Sequence, residues 1–164
     1  MFCHRGAREM SGPAPLEARY VHTNVVSRDW RSLVAFYERV FGCRPVPPER
    51  DYRGPLLDAC TGLTGAHLSG MHLRLPGYDE NGPTLEIFGY DEVAESPPGA
   101  ANRAGFAHIA FAVPDVKAAL ERVQAEGGGV LGEVVTLEIA GGRRVTLCYA
   151  TDPEGNGVEL QAWS

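Results

Sequence analysis

The sequence predicts an α+β fold assembled from two tandem βαβββ modules, and three observations carry that expectation. The segment Tyr20-Val21-His22 through Gly42 aligns without gaps, at a constant offset, with Phe106-Ala107-His108 through Gly128. Self-similarity at a fixed offset marks a repeated structural unit. Within each copy a short strand pattern precedes an amphipathic helix. Each copy also ends on a matching strand, Thr84-Leu85-Glu86-Ile87-Phe88-Gly89-Tyr90 against Gly157-Val158-Glu159-Leu160-Gln161-Ala162-Trp163.

Residues 1–18 are rich in Gly, Pro, Ala and Arg without periodicity and read as a flexible leader. Residues 19–164 form one domain: module one over 19–91, a Pro/Gly/Ala-rich linker over 92–104, and module two over 105–164. In the first helix Trp30, Leu33, Val34, Tyr37, Val40 and Phe41 share a face, and in the second Val116, Ala119, Leu120 and Val123 do. Asp29 and Asp115 stand where a side-chain oxygen accepts the free N–H groups of a first turn, and Gly42 and Gly127 where a left-handed cap is wanted. Three extended stretches follow each helix, roughly 44–50, 68–75 and 83–90, then 130–138, 143–150 and 156–163. An insertion over about Asp51–Gly65 in the first copy is a candidate lid or rim.

Composition narrows the function. With 164 residues and 44% hydrophobic content the chain can bury a single core. A formal charge of −6, with no basic cluster longer than Arg143–Arg144, argues against nucleic acid and against an anionic membrane as partners. Cys3, Cys43, Cys60 and Cys148 show no C-x-x-C spacing, so reduced thiols in a cytoplasmic protein are expected. No apolar run is long enough to span a bilayer.

The chemistry is expected on one face of four strands. Side chains alternate along a strand, so His22 faces away from Val21 and Thr23, and His108 away from Ala107 and Ile109. Glu86 is flanked by Leu85 and Ile87, and Glu159 by Val158 and Leu160. A carboxylate amid apolar strand residues is costly unless a cation or dense hydrogen bonding compensates it. One divalent ion held by His22, Glu86, His108 and Glu159 would compensate both carboxylates. Such a set suits Zn, Ni, Co, Mn or Fe, with two further positions for water or substrate oxygens. His67 and His72 have no counterpart in the second copy and are given no role, and His4 and Cys3 lie in the leader. Residues Asp152–Gly157 read as an ordinary tight turn.

These residues resemble the vicinal oxygen chelate superfamily, the glyoxalase/bleomycin resistance protein/dioxygenase group, over about 19–164. The resemblance rests on Phe36-Tyr37-Glu38-Arg39-Val40-Phe41-Gly42, on Gly105 through Val113, and on Asp152-Pro153-Glu154-Gly155-Asn156-Gly157-Val158-Glu159-Leu160. It implies paired modules whose mixed sheets curl into a cup enclosing metal and substrate, the glyoxalase/bleomycin resistance/dihydroxybiphenyl dioxygenase fold, in a homodimer. Glu86 favours the four-ligand lyase, isomerase and epimerase branch, although glutathione-dependent glyoxalases carry Arg and Asn where this chain has Val26 and Tyr90. Epimerases of the group place Gln where Glu86 stands.

The reading is therefore a metal-dependent, glyoxalase-like lyase, isomerase or epimerase of a small substrate with vicinal oxygens. In this reading the catalytic residues are Glu159 as proton-transferring base and Glu86 on the opposite face. One alternative is an extradiol-type dioxygenase using His22, His108 and Glu159. Another is a non-catalytic small-molecule or drug-sequestering protein of the bleomycin resistance type, with Tyr20, Phe88, Tyr90 and Trp163 lining an aromatic cup.

Overall fold

The computed structural model describes residues 16–97 and 99–164. Module one contains β1 (His22–Val26), α1 (Trp30–Phe41), β2 (Arg44–Arg53), α2 (Pro55–Thr61), β3 (His67–Arg74) and β4 (Thr84–Tyr90). Module two contains β5 (His108–Ala112), α3 (Val116–Ala125), β6 (Gly129–Val130), β7 (Val135–Glu138), β8 (Arg144–Thr151) and β9 (Gly157–Trp163). The first sheet runs β1-β4-β3-β2 and the second β5-β9-β8-β6, with β7 also on β8. In each sheet the opening strand lies parallel to the closing one and every other pairing is antiparallel. The α+β class follows directly from this pattern. No described helix is long and apolar enough to cross a membrane.

Local chemistry sets the helix limits. Asp29 accepts from the Ser32 N–H at 3.1 Å, and Asp115 from Lys117 and Ala118 at 2.9 and 3.1 Å. Gly42 takes φ 69° after α1, where a side chain would be strained. The strand expected over 44–50 runs on to Arg53, with a register shift between Val46 and Arg50 around Pro47 and Pro48. β2 is an edge strand, so the missing proline N–H groups cost it no ladder bond on its open side. Part of the Asp51–Gly65 insertion extends β2, and the rest forms α2, which packs on that strand. The Asp58 carboxylate closes the insertion by accepting Gly65 and Ala66 N–H at 2.8 Å each. The stretch expected over 130–138 divides into β6 and β7. Ahead of it Gly128 passes so close that a Cβ would stand 2.5 Å from the Thr151 carbonyl oxygen and 2.6 Å from Val123.

The core lies where both sheets meet their helices. Leu85, Ile87, Leu73, Val158, Leu160, Cys148 and Ala150 are buried under Leu33, Val34, Tyr37, Val116 and Val123. Phe36, absent from the expected apolar face of α1, is buried as well. Its ring packs edge to face against Tyr37 and Phe41, while α1 also meets module two: the Phe41 ring stacks on Phe111 at 4.0 Å, and Arg39 pairs with Glu126 at 2.6 Å.

The turn between β8 and β9 joins the modules. Asp152, essentially unexposed, accepts the Tyr37 hydroxyl at 3.1 Å and, within its own turn, the Glu154 and Asn156 N–H groups at 2.9 Å each. Two residues on, Glu154 accepts Ser27 Oγ at 2.5 Å, the Arg28 N–H at 2.9 Å and the Asp29 N–H at 3.0 Å. This segment is a tight turn, as expected, and also a clasp between modules. Burial pushes the Asp152 carboxyl up, opposed by its bonds from Asn156, Glu154 and Tyr37. Burial opposes ionisation of Glu154 too, but the bonds from Asp29, Ser27 and Arg28 outweigh it and hold that carboxyl below the ordinary 4.5. A depressed native pKa contributes stability above the unfolded value and loses it as pH falls through the native one. Glu154→Ala is thus expected to cost about 1–3 kcal/mol at neutral pH. The deficit should shrink by about pH 3, as urea denaturation at both pH values would show.

Burial pushes the Cys43 thiol up to about 12, and Cys148 is also buried, whereas Cys60 is exposed; all three are free thiols. An alkylating reagent should modify Cys60 in the folded protein and reach Cys43 and Cys148 only on unfolding, which peptide mass mapping would read. Prompt labelling of Cys43 would contradict this packing.

Candidate functional site

The faces opposite the core carry the polar residues. In module one His22 is in register with Thr84, and Asn24 with Glu86, across the parallel β1–β4 pair. In module two His108 is in register with Gly157, and Ala110 with Glu159, across β5–β9. Each histidine therefore stands one same-face step from a glutamate on the adjacent strand. His22 Nε2 lies 3.4 Å from Glu86 Oε2, and His108 Nε2 lies 3.1 Å from Glu159 Oε2.

The fold fixes these contacts from beneath. Leu85, Ile87, Val158 and Leu160 are each at most 1% exposed on the core side, so alternation turns both carboxylates to the other face. Glu86 is itself buried, with Asn24 Nδ2 donating to its Oε2 at 3.0 Å.

The four expected ligands thus come together as two pairs, one per sheet. Among the described residues, no three His, Cys, Asp or Glu side chains are arranged to hold a metal ion. The chemistry of each pair still suits one, since neutral imidazole and carboxylate are donors for borderline divalent cations. His22 and Glu86 from one module with His108 and Glu159 from another would complete the set.

β1 and β5 are outer strands, each paired on one side only among the described residues. Cavities of about 550 and 390 Å³ separate them. The larger is lined by Thr23, Thr84, Ile109 and Phe111, among others, and touches none of the four ligand candidates; the smaller reaches Asn24 and His108. Of the aromatic residues expected to line a cup, Phe88 and Tyr90 share the Glu86 face of the first sheet, while Trp163 ends the second. Tyr20 precedes β1 and is exposed, its hydroxyl at Thr23 Oγ1. Trp163 carries the Arg143 guanidinium 4.5 Å above its ring.

His72 was missed by the sequence reading. Across the antiparallel β3–β4 pair it is in register with Glu86, and its Nε2 lies 2.7 Å from Glu86 Oε1 while Nδ1 lies 3.1 Å from Thr84 Oγ1. Burial holds His72 below the ordinary histidine value, against the attraction of Glu86. His72 does have a positional counterpart: Tyr149, in register with Glu159 and 5.1 Å from the His108 ring. The identities differ, so sequence alignment of the copies concealed the match. Alternation could have exposed it, because Leu73 belongs to the core and His72 must face the other way. The remaining histidine, His67, sits between Asp91 and Asp51 at 2.9 and 3.1 Å. His4 and Cys3 fall outside the described residues.

The sequence profile of the Glyoxalase/Bleomycin resistance protein/Dioxygenase superfamily matches residues 19–160. A glyoxalase family protein from Bacillus cereus superposes with a TM-score of 0.74 at 20% identity, covering 94% of this chain and 98% of that one. A single-substitution variant of glyoxalase I from Zea mays gives 0.58 at 22% identity, covering 87% of this chain and 44% of that one. A glyoxylase/bleomycin resistance protein/dioxygenase domain from Frankia gives 0.53 at 16%, covering 92% and 94%. At these identities the structural likeness concerns the fold. No curated protein matches the chain in sequence.

Proposed function

Because the chain belongs to the Glyoxalase/Bleomycin resistance protein/Dioxygenase superfamily, we propose that it is a metal-dependent lyase, isomerase or epimerase of a small substrate with vicinal oxygens. In this reading His22 and Glu86 of one copy and His108 and Glu159 of a second hold one divalent ion in a homodimer. One observation carries it: the two modules place a His and a Glu in contact at the same register step, each on the face opposite its core. The edges of β1 and β5, unpaired among the described residues, and the exposed Val26, Phe106, Val135 and Leu137 favour closure by another copy. Members of this superfamily commonly use divalent metals, and proteins of the fold often act as dimers.

When bound, the ion would supply Lewis acidity, polarising a carbonyl oxygen and lowering the cost of removing the neighbouring proton. Glu159 is the base that takes this proton and returns it. His108 would serve as a ligand of the ion, and Glu86, steadied by Asn24, would face the reaction from the other module. Glu86 distinguishes this reading from the dioxygenase alternative, which requires only His22, His108 and Glu159.

Elemental mass spectrometry on untagged protein should find close to one divalent ion per chain. His108→Ala should weaken binding at least 100-fold, beyond the roughly 10- to 100-fold typical of removing an outer-shell partner. Mixed dimers of His22→Ala and His108→Ala chains should regain one intact site per dimer, because the unaltered halves meet across the interface. No recovery would mean that the site closes within a chain, and no metal under any loading condition would leave a binding protein on this fold. Glu159→Gln should keep the fold yet lose most proton exchange on a substrate, about 100-fold or more; unchanged exchange would remove Glu159 as the base.

A further inference from the structure

We propose that His72 is itself a metal ligand, so that His22, His72 and Glu86 make module one a three-donor cation site on its own. The proposal rests on the metal-binding reading above and adds a donor to it. The two oxygens of one buried carboxylate are met by two imidazole Nε2 atoms, His72 at Oε1 (2.7 Å) and His22 at Oε2 (3.4 Å). The rings stand edge to face, 5.9 Å between centres. An ion about 2.1 Å from two donors at right angles sets those donors roughly 3 Å apart. The two observed separations bracket that spacing; as the side chains stand, no three donors hold an ion among the described residues, and the two imidazoles, which now meet the carboxylate directly, would rotate outward to admit one.

The surroundings suit this role. A histidine that ligates through one nitrogen carries its proton on the other and donates it to an oxygen, which fixes the tautomer. Thr84 Oγ1, 3.1 Å from Nδ1, is that oxygen for His72. Asn24 occupies one lone pair of Glu86 Oε2 and limits how that carboxylate can turn. Behind His72 the Phe88 ring lies edge-on at 5.8 Å. Gly70 keeps that ring in place, since a Cβ there would meet Phe88 Cδ1 at 2.3 Å. Module two offers no such third donor, because Tyr149 stands where His72 does and Ala110 where Asn24 does. Two imidazoles and one carboxylate on a single sheet form a set suited to first-row divalent ions. Module one would then take up the ion first, and His108 and Glu159 would close on it from the second copy.

Cobalt(II) titration followed by visible absorption and equilibrium dialysis tests this without an activity assay. In a His108→Ala/Glu159→Ala background, one cobalt per chain should still bind, more weakly, and adding His72→Ala should abolish that binding. In the otherwise native chain, His72→Ala should lower cobalt affinity at least tenfold and change the absorption bands, because one nitrogen donor is lost. His72→Gln, which can keep the hydrogen bond to Glu86, separates ligation from packing: it should bind as poorly as His72→Ala, with an unchanged far-ultraviolet spectrum. Native affinity and bands in either variant would overturn the proposal and leave the four-ligand reading standing. So would complete loss of cobalt in the His108→Ala/Glu159→Ala background with His72 intact. A native chain that takes up no cobalt would overturn both.

Discussion

The contact on which the rest of the arrangement depends is the turn at Asp152–Asn156 gripping the start and middle of α1. Without it, module one and module two would meet chiefly through the Phe41–Phe111 stack and the Arg39–Glu126 pair. With it, a buried carboxylate accepts a phenol from the centre of α1, and a second carboxylate caps the backbone leading into that helix. The burial that raises the pKa of Asp152 raises that of Tyr37 well above its usual range, keeping the phenol a donor. The same turn delivers the chain into β9, so Glu159 is placed by the segment that fixes the modules relative to each other.

The site follows from register. A parallel opening strand beside the closing strand, repeated in both sheets, sets the histidine of each sheet one step from that sheet's glutamate, while apolar neighbours prevent either carboxylate from turning inward. Local geometry therefore makes two similar half-sites, and the sheet edges make them separate. Among the described residues β1 and β5 pair on one side only, and Val135 and Leu137 of the second sheet are exposed.

Much of this was legible in the sequence because it is local or repeated. The Asp29 and Asp115 caps, the glycine after α1, and the parity that turns Glu86 and Glu159 away from the core need only alternation and helix-end chemistry. The pairing of His22 with Glu86 was implied once the repeat was seen. His72 was not, because its relation to Glu86 is an antiparallel register, and the insertion within module one hides which residues stand opposite. The burial of Phe36 escaped because the apolar stripe of α1 is wider than the one read from spacing, with Phe36 packed against Tyr37 and Phe41. The clasp at Asp152–Asn156 looked like turn chemistry alone, because its partners Tyr37, Ser27, Arg28 and Asp29 are more than a hundred residues away.

The two halves are unequal in their side chains. Asn24 and His72 beside Glu86 correspond to Ala110 and Tyr149 beside Glu159, so the approximate two-fold relation of the backbones is broken. Any molecule lying between the two polar faces would meet an amide and an imidazole on one side and a methyl and a phenol on the other, so a surface built from matching strands can still tell one side of its guest from the other.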